Sequence, residues 1–133
     1  MKPSLTLIGT FGAIGVMLGA LGAHALKQVL TPEQIMSFQT GVRYHLIHTL
    51  LLLMVFILYQ QKPLKSLKRI YLFVVLGILC FSGSIYLLNL RYLINADWLK
   101  ILGPVTPIGG LLLIAGWILL AFSSKAFVSS KGE

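Results

Sequence analysis

The sequence predicts an all-α integral membrane protein in which four transmembrane helices form a bundle. Hydrophobic residues make up 57% of the 133 residues and charged residues only 11%, against roughly 25% charged in ordinary soluble domains. The apolar residues gather into four segments long enough to cross a bilayer, and most charges lie between them. No separate soluble domain is evident, so we expect a single membrane domain over residues 1–133.

The first predicted span covers residues 5–23. It carries no charge, and as a helix it is roughly 28 Å long, close to the ~30 Å hydrocarbon thickness of a bilayer. Five glycines recur in it at steps of three or four, which places them on one stripe of a helix. Small residues let a second helix approach closely in lipid. We therefore expect helix packing at Gly9, Gly12, Gly15, Gly19 and Gly22.

A helix start follows the first span. Thr31 is a typical N-cap, Pro32 suits the first helical position, and Gln34 completes a capping-box pattern. Apolar residues follow at positions 35, 36 and 38. We predict a short amphipathic helix between spans one and two, lying against the membrane surface or the bundle, with Gly41 as the bend before span two.

Three further spans are predicted at residues 42–59, 70–90 and 105–122. The third is interrupted by few strongly polar residues, namely Ser82, Ser84 and Asn89. The fourth begins near Pro104 and Pro107, and proline is tolerated in a first helical turn because the amides there lack intrahelical partners. The spans therefore follow one another with short connections.

The distribution of cations orients the predicted bundle. With four spans, both termini and the loop at 62–69 share one side. That side holds seven cations and the opposite side four, so the positive-inside rule places both termini in the cytoplasm. Topology signals and anionic headgroups account for the net charge of +8. The cations form no stacking platform with aromatic residues, so we expect no nucleic-acid partner.

The second span contains the main functional hint. Its uninterrupted apolar part, 46–59, is about 21 Å long and too short to cross alone, so the crossing recruits polar residues before it. With a cytoplasmic boundary at Tyr59, His48 lies about 16 Å deep. Ionisable groups at such depth usually face the protein interior. The candidate polar or ligand cluster consists of His24, Arg43, Tyr44, His45, His48, Ser82, Ser84 and Asn89.

Three interpretations of this cluster remain open. Neutral histidines can bond to a serine or a backbone carbonyl and tie helices together, or they can serve a ligand, proton or substrate. A metal site is the weakest interpretation, because His45 and His48 lack a third ligand. We assign no catalytic residue and no metal. Cys80 is expected to be a buried, inert thiol, and Trp98 and Trp117 are expected to be interfacial or lipid-facing anchors.

Several motifs together resemble the small four-span membrane family called domain of unknown function 423. They are GALGAHAL at 19–26, FQTGVRYHLIH at 38–48, FSGSIYL at 81–87, GPVTPIGG at 103–110 and GW at 116–117. Family proteins commonly carry Gln or a similar polar residue where Arg43 or His45 stands. The resemblance implies an integral protein of the bacterial cytoplasmic membrane. It implies no assigned activity and no cofactor.

The sequence favours a small binding, accessory or assembly component that contacts the lipid bilayer, with a second copy or another membrane protein as partner. An alternative is an oligomeric transporter or channel lined by the histidines, Tyr44 and Asn89, since four short spans leave little room for a pathway inside one protomer. A membrane enzyme acting on lipid or quinone is the weaker alternative, because only the histidines could serve as a general base. The sequence thus favours a non-enzymatic role.

Overall fold

The computed structural model describes residues 1–128, with side chains described as far as Ala126. Helices α1 (Leu5–Ala23), α2 (Pro32–Gln61), α3 (Lys65–Ile78), α4 (Ser84–Leu90) and α5 (Val105–Val128) follow in chain order. A π-helical turn, Leu79–Gly83, joins α3 to α4, so the two form one continuous span. Short 3₁₀ turns, Ala25–Gln28 and Asp97–Leu102, precede α2 and α5. Four of these helical segments are long and apolar enough to cross a membrane.

One end of the bundle gathers the start of α1, the α2–α3 connection and the last turns of α5. The Tyr71 hydroxyl of α3 lies 3.1 Å from the Ser4 amide and 3.2 Å from the Ser4 carbonyl. The Lys62 ammonium donates to the Ala126 carbonyl at 2.7 Å. These contacts place the two ends of the described chain on the same side of the bundle, as four antiparallel spans require.

Helix α2 begins with the predicted capping box. The Thr31 hydroxyl accepts from the Gln34 amide at 3.2 Å, and the Gln34 side chain accepts from the Thr31 amide at 2.9 Å. The prediction of a separate amphipathic helix was wrong, because α2 continues from Pro32 to Gln61 without a break at Gly41. Ile35 and Phe38 pack in the same core cluster as residues further along α2 and in α4. Buried residues therefore recur along α2 on both sides of Gly41, from Ile35 to Val55.

The glycine stripe of α1 packs against α2 over its last half. An added Cβ would contact Leu46 at Gly15, Val42 at Gly19 and Phe38 at Gly22, at 2.6 to 3.2 Å. Gly12 lies only in loose contact with α2, and an added Cβ at Gly9 would meet nothing within 4 Å. Helix α1 therefore approaches α2 closely at three of the five positions.

Helix α5 approaches α3 and the π turn through glycines. Added Cβ atoms would meet Leu113 at Gly77, 2.5 Å away, and Val74 at Gly116, 2.8 Å away. At Gly109 the added atom would collide with the backbone of Cys80 and Phe81 in the π turn. The wider π turn thus fits only where α5 has no side chain, which fixes how α5 sits on the central α3–α4 span.

Candidate functional site

The eight residues of the predicted cluster do not form a single site. His45, His48, Ser82, Ser84 and Asn89 are buried inside the bundle, whereas His24, Arg43 and Tyr44 are exposed. His24 follows the end of α1, and the Arg43 guanidinium donates within α2 to the Gln39 carbonyl at 3.4 Å. His45 and His48, three residues apart in α2, contact different neighbouring helices.

His48 connects α2 to α5. The Trp117 indole N–H donates to Nε2 of His48 at 3.1 Å, and Nδ1 lies 2.6 Å from the Tyr44 carbonyl. An indole can only donate and a carbonyl can only accept, so Nε2 carries the lone pair and Nδ1 the proton of a neutral ring. Trp117 is therefore more than the expected lipid-facing anchor, although its ring is half-exposed. Both ring nitrogens of His48 are therefore hydrogen-bonded within the protein.

Tyr44 adds an aromatic layer beside His48. Its ring stacks on the His48 imidazole with centroids 5.8 Å apart and meets the Phe81 ring at a tilt, with centroids 4.6 Å apart. Phe81 belongs to the π turn, so this stack joins α2 to the α3–α4 span. The exposed side of Tyr44 faces away from the bundle, toward the surface that lipid would contact.

Ser82, Ser84 and Asn89 bond to neighbouring helices. Neither serine bonds to a histidine, which was one of the alternatives that the sequence left open. Each of these three side chains has a hydrogen-bonding oxygen on a neighbouring helix, which satisfies it inside the apolar bundle. The contacts are Ser82 Oγ to the Gly41 carbonyl at 2.7 Å, Ser84 Oγ to Thr106 Oγ1 at 2.6 Å, and Asn89 Nδ2 to Ser37 Oγ at 3.1 Å. The Ser84 hydroxyl also donates to the Phe81 carbonyl of its own span at 3.0 Å.

Of the two buried histidines, His45 has one ring nitrogen without a hydrogen-bond partner. Its Nδ1 lies 3.0 Å from the Tyr86 hydroxyl of α4, and the Phe11 ring of α1 meets it edge-on with centroids 5.7 Å apart. Its Nε2 has no hydrogen-bond partner, although only 5% of the residue is exposed. Among the described side chains only Arg91 Nε shares this property, and the Arg91 guanidinium also donates to the Tyr92 hydroxyl at the end of α4.

A cavity of about 150 Å³ lies beside His45, between α1, α2 and the π turn. Its walls are apolar apart from the His45 ring and Tyr86. Ile14 and Leu79 at its edge are exposed on the outer surface, so the cavity opens sideways toward lipid. Its main lining residues are Phe11, Ile14, Leu18, His45, Gly83 and Tyr86.

Sequence reasoning missed Tyr86, Trp117 and Phe11 as neighbours of the histidines. A tyrosine or tryptophan in an apolar span carries one polar group that must find a partner, so Tyr86 and Trp117 were candidates for the histidine bonds. Which ring meets which histidine depends on helix rotation, and the spacing does not encode that. Within residues 1–128, no three His, Cys, Asp or Glu side chains are grouped to hold a metal ion.

The fold and the buried polar groups define a multi-pass helical membrane protein. The chain belongs to the family described as a protein of unknown function, DUF423, whose profile matches residues 18–110. A UPF0382 membrane protein of Staphylococcus haemolyticus is 36% identical over 96% of this chain and 99% of its own length. The UPF0382 inner membrane protein YgdD of Escherichia coli is 36% identical over 82% of this chain and 79% of its own length.

A Bacillus subtilis relative, the UPF0382 membrane protein YwdK, is 31% identical over 96% of this chain. No solved structure matches the chain. The protein is thus a multi-pass protein of the bacterial cytoplasmic membrane, and its family description assigns no activity.

Proposed function

We propose that the protein is a small binding component of the cytoplasmic membrane that holds one lipid-phase molecule in the His45 cavity. The observation that carries this proposal is an apolar cavity of about 150 Å³ that opens toward lipid and has the buried His45 ring among its lining residues. The side chains around a void lack van der Waals partners on one side, and an apolar molecule that fills the cavity supplies those contacts.

The remaining polar groups favour a binding role over a transporter or channel. A polar pathway needs groups free to exchange partners with a moving substrate. Both nitrogens of His48 and the Ser82 hydroxyl are instead bonded to protein atoms. Asn89 is likewise tied to α2. His24 is exposed at the end of α1, so it does not line the interior of the bundle with His45, His48 and Asn89.

Purification in lipid nanodiscs followed by native mass spectrometry tests the proposal. We expect one retained apolar molecule per chain. Gly83→Leu should remove it, because Gly83 lines the cavity and an added Cβ there meets nothing within 4 Å. Gly9→Leu is the matched control, since Gly9 is equally open but faces outward on α1. Equal retention by both variants, or no retained molecule in the wild type, would refute this site.

We also propose that both termini face the cytoplasm and that the chain acts as one membrane domain. Seven cations lie on that side in the sequence, including the dense run at 62–69, against four on the other. A cytoplasm-active reporter fused after Glu133 should be active, and a periplasm-active reporter at the same site should be silent. An active periplasmic reporter and a silent cytoplasmic one would show that the C-terminus faces the periplasm and would contradict the proposal.

A further inference from the structure

We infer that a second cavity, between the first 3₁₀ turn and the start of α2, binds the headgroup of an anionic phospholipid, with the Lys27 ammonium as the partner of the phosphate. This headgroup cavity shares no lining residue with the His45 cavity, so the inference goes beyond the proposed function and does not depend on it. It lies on the side of the bundle opposite the two ends of the described chain. Its lining residues are Lys27, Leu30, Pro32, Ile35 and Gln39.

The headgroup cavity has a volume of about 430 Å³ and opens to the surface of the protein. This volume lies within the range of about 300–1,000 Å³ that small-molecule sites occupy. Leu30, Pro32 and Ile35 give it apolar walls, and Lys27 and Gln39 are its polar side chains. Within residues 1–128, neither the Lys27 ammonium nor the Gln39 side-chain amide has a hydrogen-bond or ion-pair partner. A cation and an amide are therefore both available to one ligand.

The charges around the headgroup cavity favour an anion. Residues 1–128 contain two carboxylate side chains, Glu33 and Asp97, and neither neutralises Lys27. Glu33 does not line the cavity and forms no ion pair with the described residues, whereas Asp97 lies 3.7 Å from the Lys100 ammonium. Lipid headgroups with a net negative charge attract a lysine at the membrane surface. Lys27 therefore has charge complementarity with an anionic lipid.

The position of the headgroup cavity along α2 matches the depth of lipid headgroups. The part of α2 from Gln39 to Tyr59 is about 30 Å long, which equals the ~30 Å hydrocarbon thickness of a bilayer. With Tyr59 at one boundary of the hydrocarbon, Gln39 lies at the other. Pro32 precedes Gln39 in α2 and lies beyond that boundary, where the phosphates of the opposite leaflet are. The cavity is thus placed to hold a headgroup.

A stripe along α2 leads from the headgroup cavity into the bilayer. Arg43 lies one turn after Gln39, and its Nε donates to the Gln39 carbonyl at 3.4 Å, so the guanidinium is directed back toward the headgroup level. The exposed side chains of Ile47, Leu50 and Met54 follow on the same face of the helix. Acyl chains of a lipid whose headgroup fills the cavity can lie against these side chains. The stripe therefore favours a lipid over a free phosphate.

Native mass spectrometry of the full chain, with dioleoyl phosphatidylglycerol or dioleoyl phosphatidylcholine added in detergent, tests the inference. The two lipids share acyl chains and a phosphate and differ in net charge. We expect Lys27→Gln to weaken the binding of phosphatidylglycerol about fivefold, the value of one lysine near an anionic headgroup, and to leave phosphatidylcholine binding unchanged.

Lys100→Gln is the matched control. It makes the same charge change in the other 3₁₀ turn, on the same side of the bundle, at a lysine that already faces Asp97. It should leave phosphatidylglycerol binding unchanged. The cations at the other membrane surface are the same in both variants, so the difference between them isolates Lys27. An equal loss in both variants, or no loss in either, would refute the headgroup cavity.

Gln39→Glu and a headgroup without acyl chains complete the test. Glutamate nearly keeps the shape of Gln39 but places a negative charge in the cavity, so it should weaken phosphatidylglycerol more than phosphatidylcholine. Unchanged selectivity would show that the phosphate does not lie beside Gln39. Glycerophosphoglycerol, the phosphatidylglycerol headgroup alone, should not displace the lipid at equal concentration. Displacement would show that the cavity takes a soluble phosphate ester and would overturn the lipid assignment.

Discussion

Gly109→Ala should destabilise the bundle by about 3 kcal/mol or more, although it adds a single methyl group. Overpacking a well-packed core costs typically about 1–3 kcal/mol when side chains can shift. Here the added Cβ would collide with backbone atoms of Cys80 and Phe81 in the π turn. Backbone cannot rotate away as a side chain can, so α5 must move off the α3–α4 span. The free energy of unfolding, measured by titration with sodium dodecyl sulfate in mixed micelles, reports this loss.

Gly110→Ala provides the matched control one residue further along α5. An added Cβ there would lie 3.7 Å from the Phe81 ring, an ordinary van der Waals contact. The two variants make the same chemical change in the same helix, so any difference in helix propensity cancels. We expect Gly110→Ala to stay within about 1 kcal/mol of the wild type. Similar stability of both variants would show that α5 does not rest on the π turn at Gly109.

Much of the fold follows from apolar length and helix signals in the sequence. Residues 5–23 form α1 with the predicted bounds, and the predicted capping box at Thr31 and Gln34 is present. The prediction of a bend at Gly41 was wrong, because α2 is continuous there. A single glycine weakens a helix by only about 1 kcal/mol, and packing of Gly41 against Ile85 and Tyr86 outweighs that. Tertiary contact decided whether the helix continued, and the local sequence does not contain that information.

The candidate site was less predictable than the fold. Of the polar residues that the depth argument brought into span two, His45 and His48 are buried in the structure, whereas Arg43 and Tyr44 are exposed. The depth argument did not predict that the two histidines bond to different helices, because a histidine's partner depends on the rotation of its helix and on the neighbour it faces. The π turn at Leu79–Gly83 adds to this, because it interrupts the regular α-helical spacing between α3 and α4. No residue in that stretch marks a π turn in the sequence.

His48→Leu should lower the free energy of unfolding by about 1–2 kcal/mol. Leucine fills most of the space but offers no acceptor, so the Trp117 indole N–H loses its partner inside the bundle. Leaving a buried donor unsatisfied costs about 1–3 kcal/mol, while hydrogen bonds between membrane helices measure about 0.6 kcal/mol on average and up to about 1.7. His48→Gln should retain most of the stability, because an amide oxygen can accept from Trp117.

A double-mutant cycle with Trp117→Phe isolates this bond from other effects of the leucine. Phenylalanine removes the donor, so His48→Leu should cost less in the Trp117→Phe background than in the wild type. His24→Leu is the control for histidine removal, since His24 is exposed after α1, and it should leave stability within about 0.5 kcal/mol of the wild type. Strict additivity of His48→Leu and Trp117→Phe would show that the two rings are not coupled. His48 would then hold α2 against α5 through the shape and stacking of its ring, which His48→Gln lacks, and the glutamine variant would be as unstable as the leucine variant.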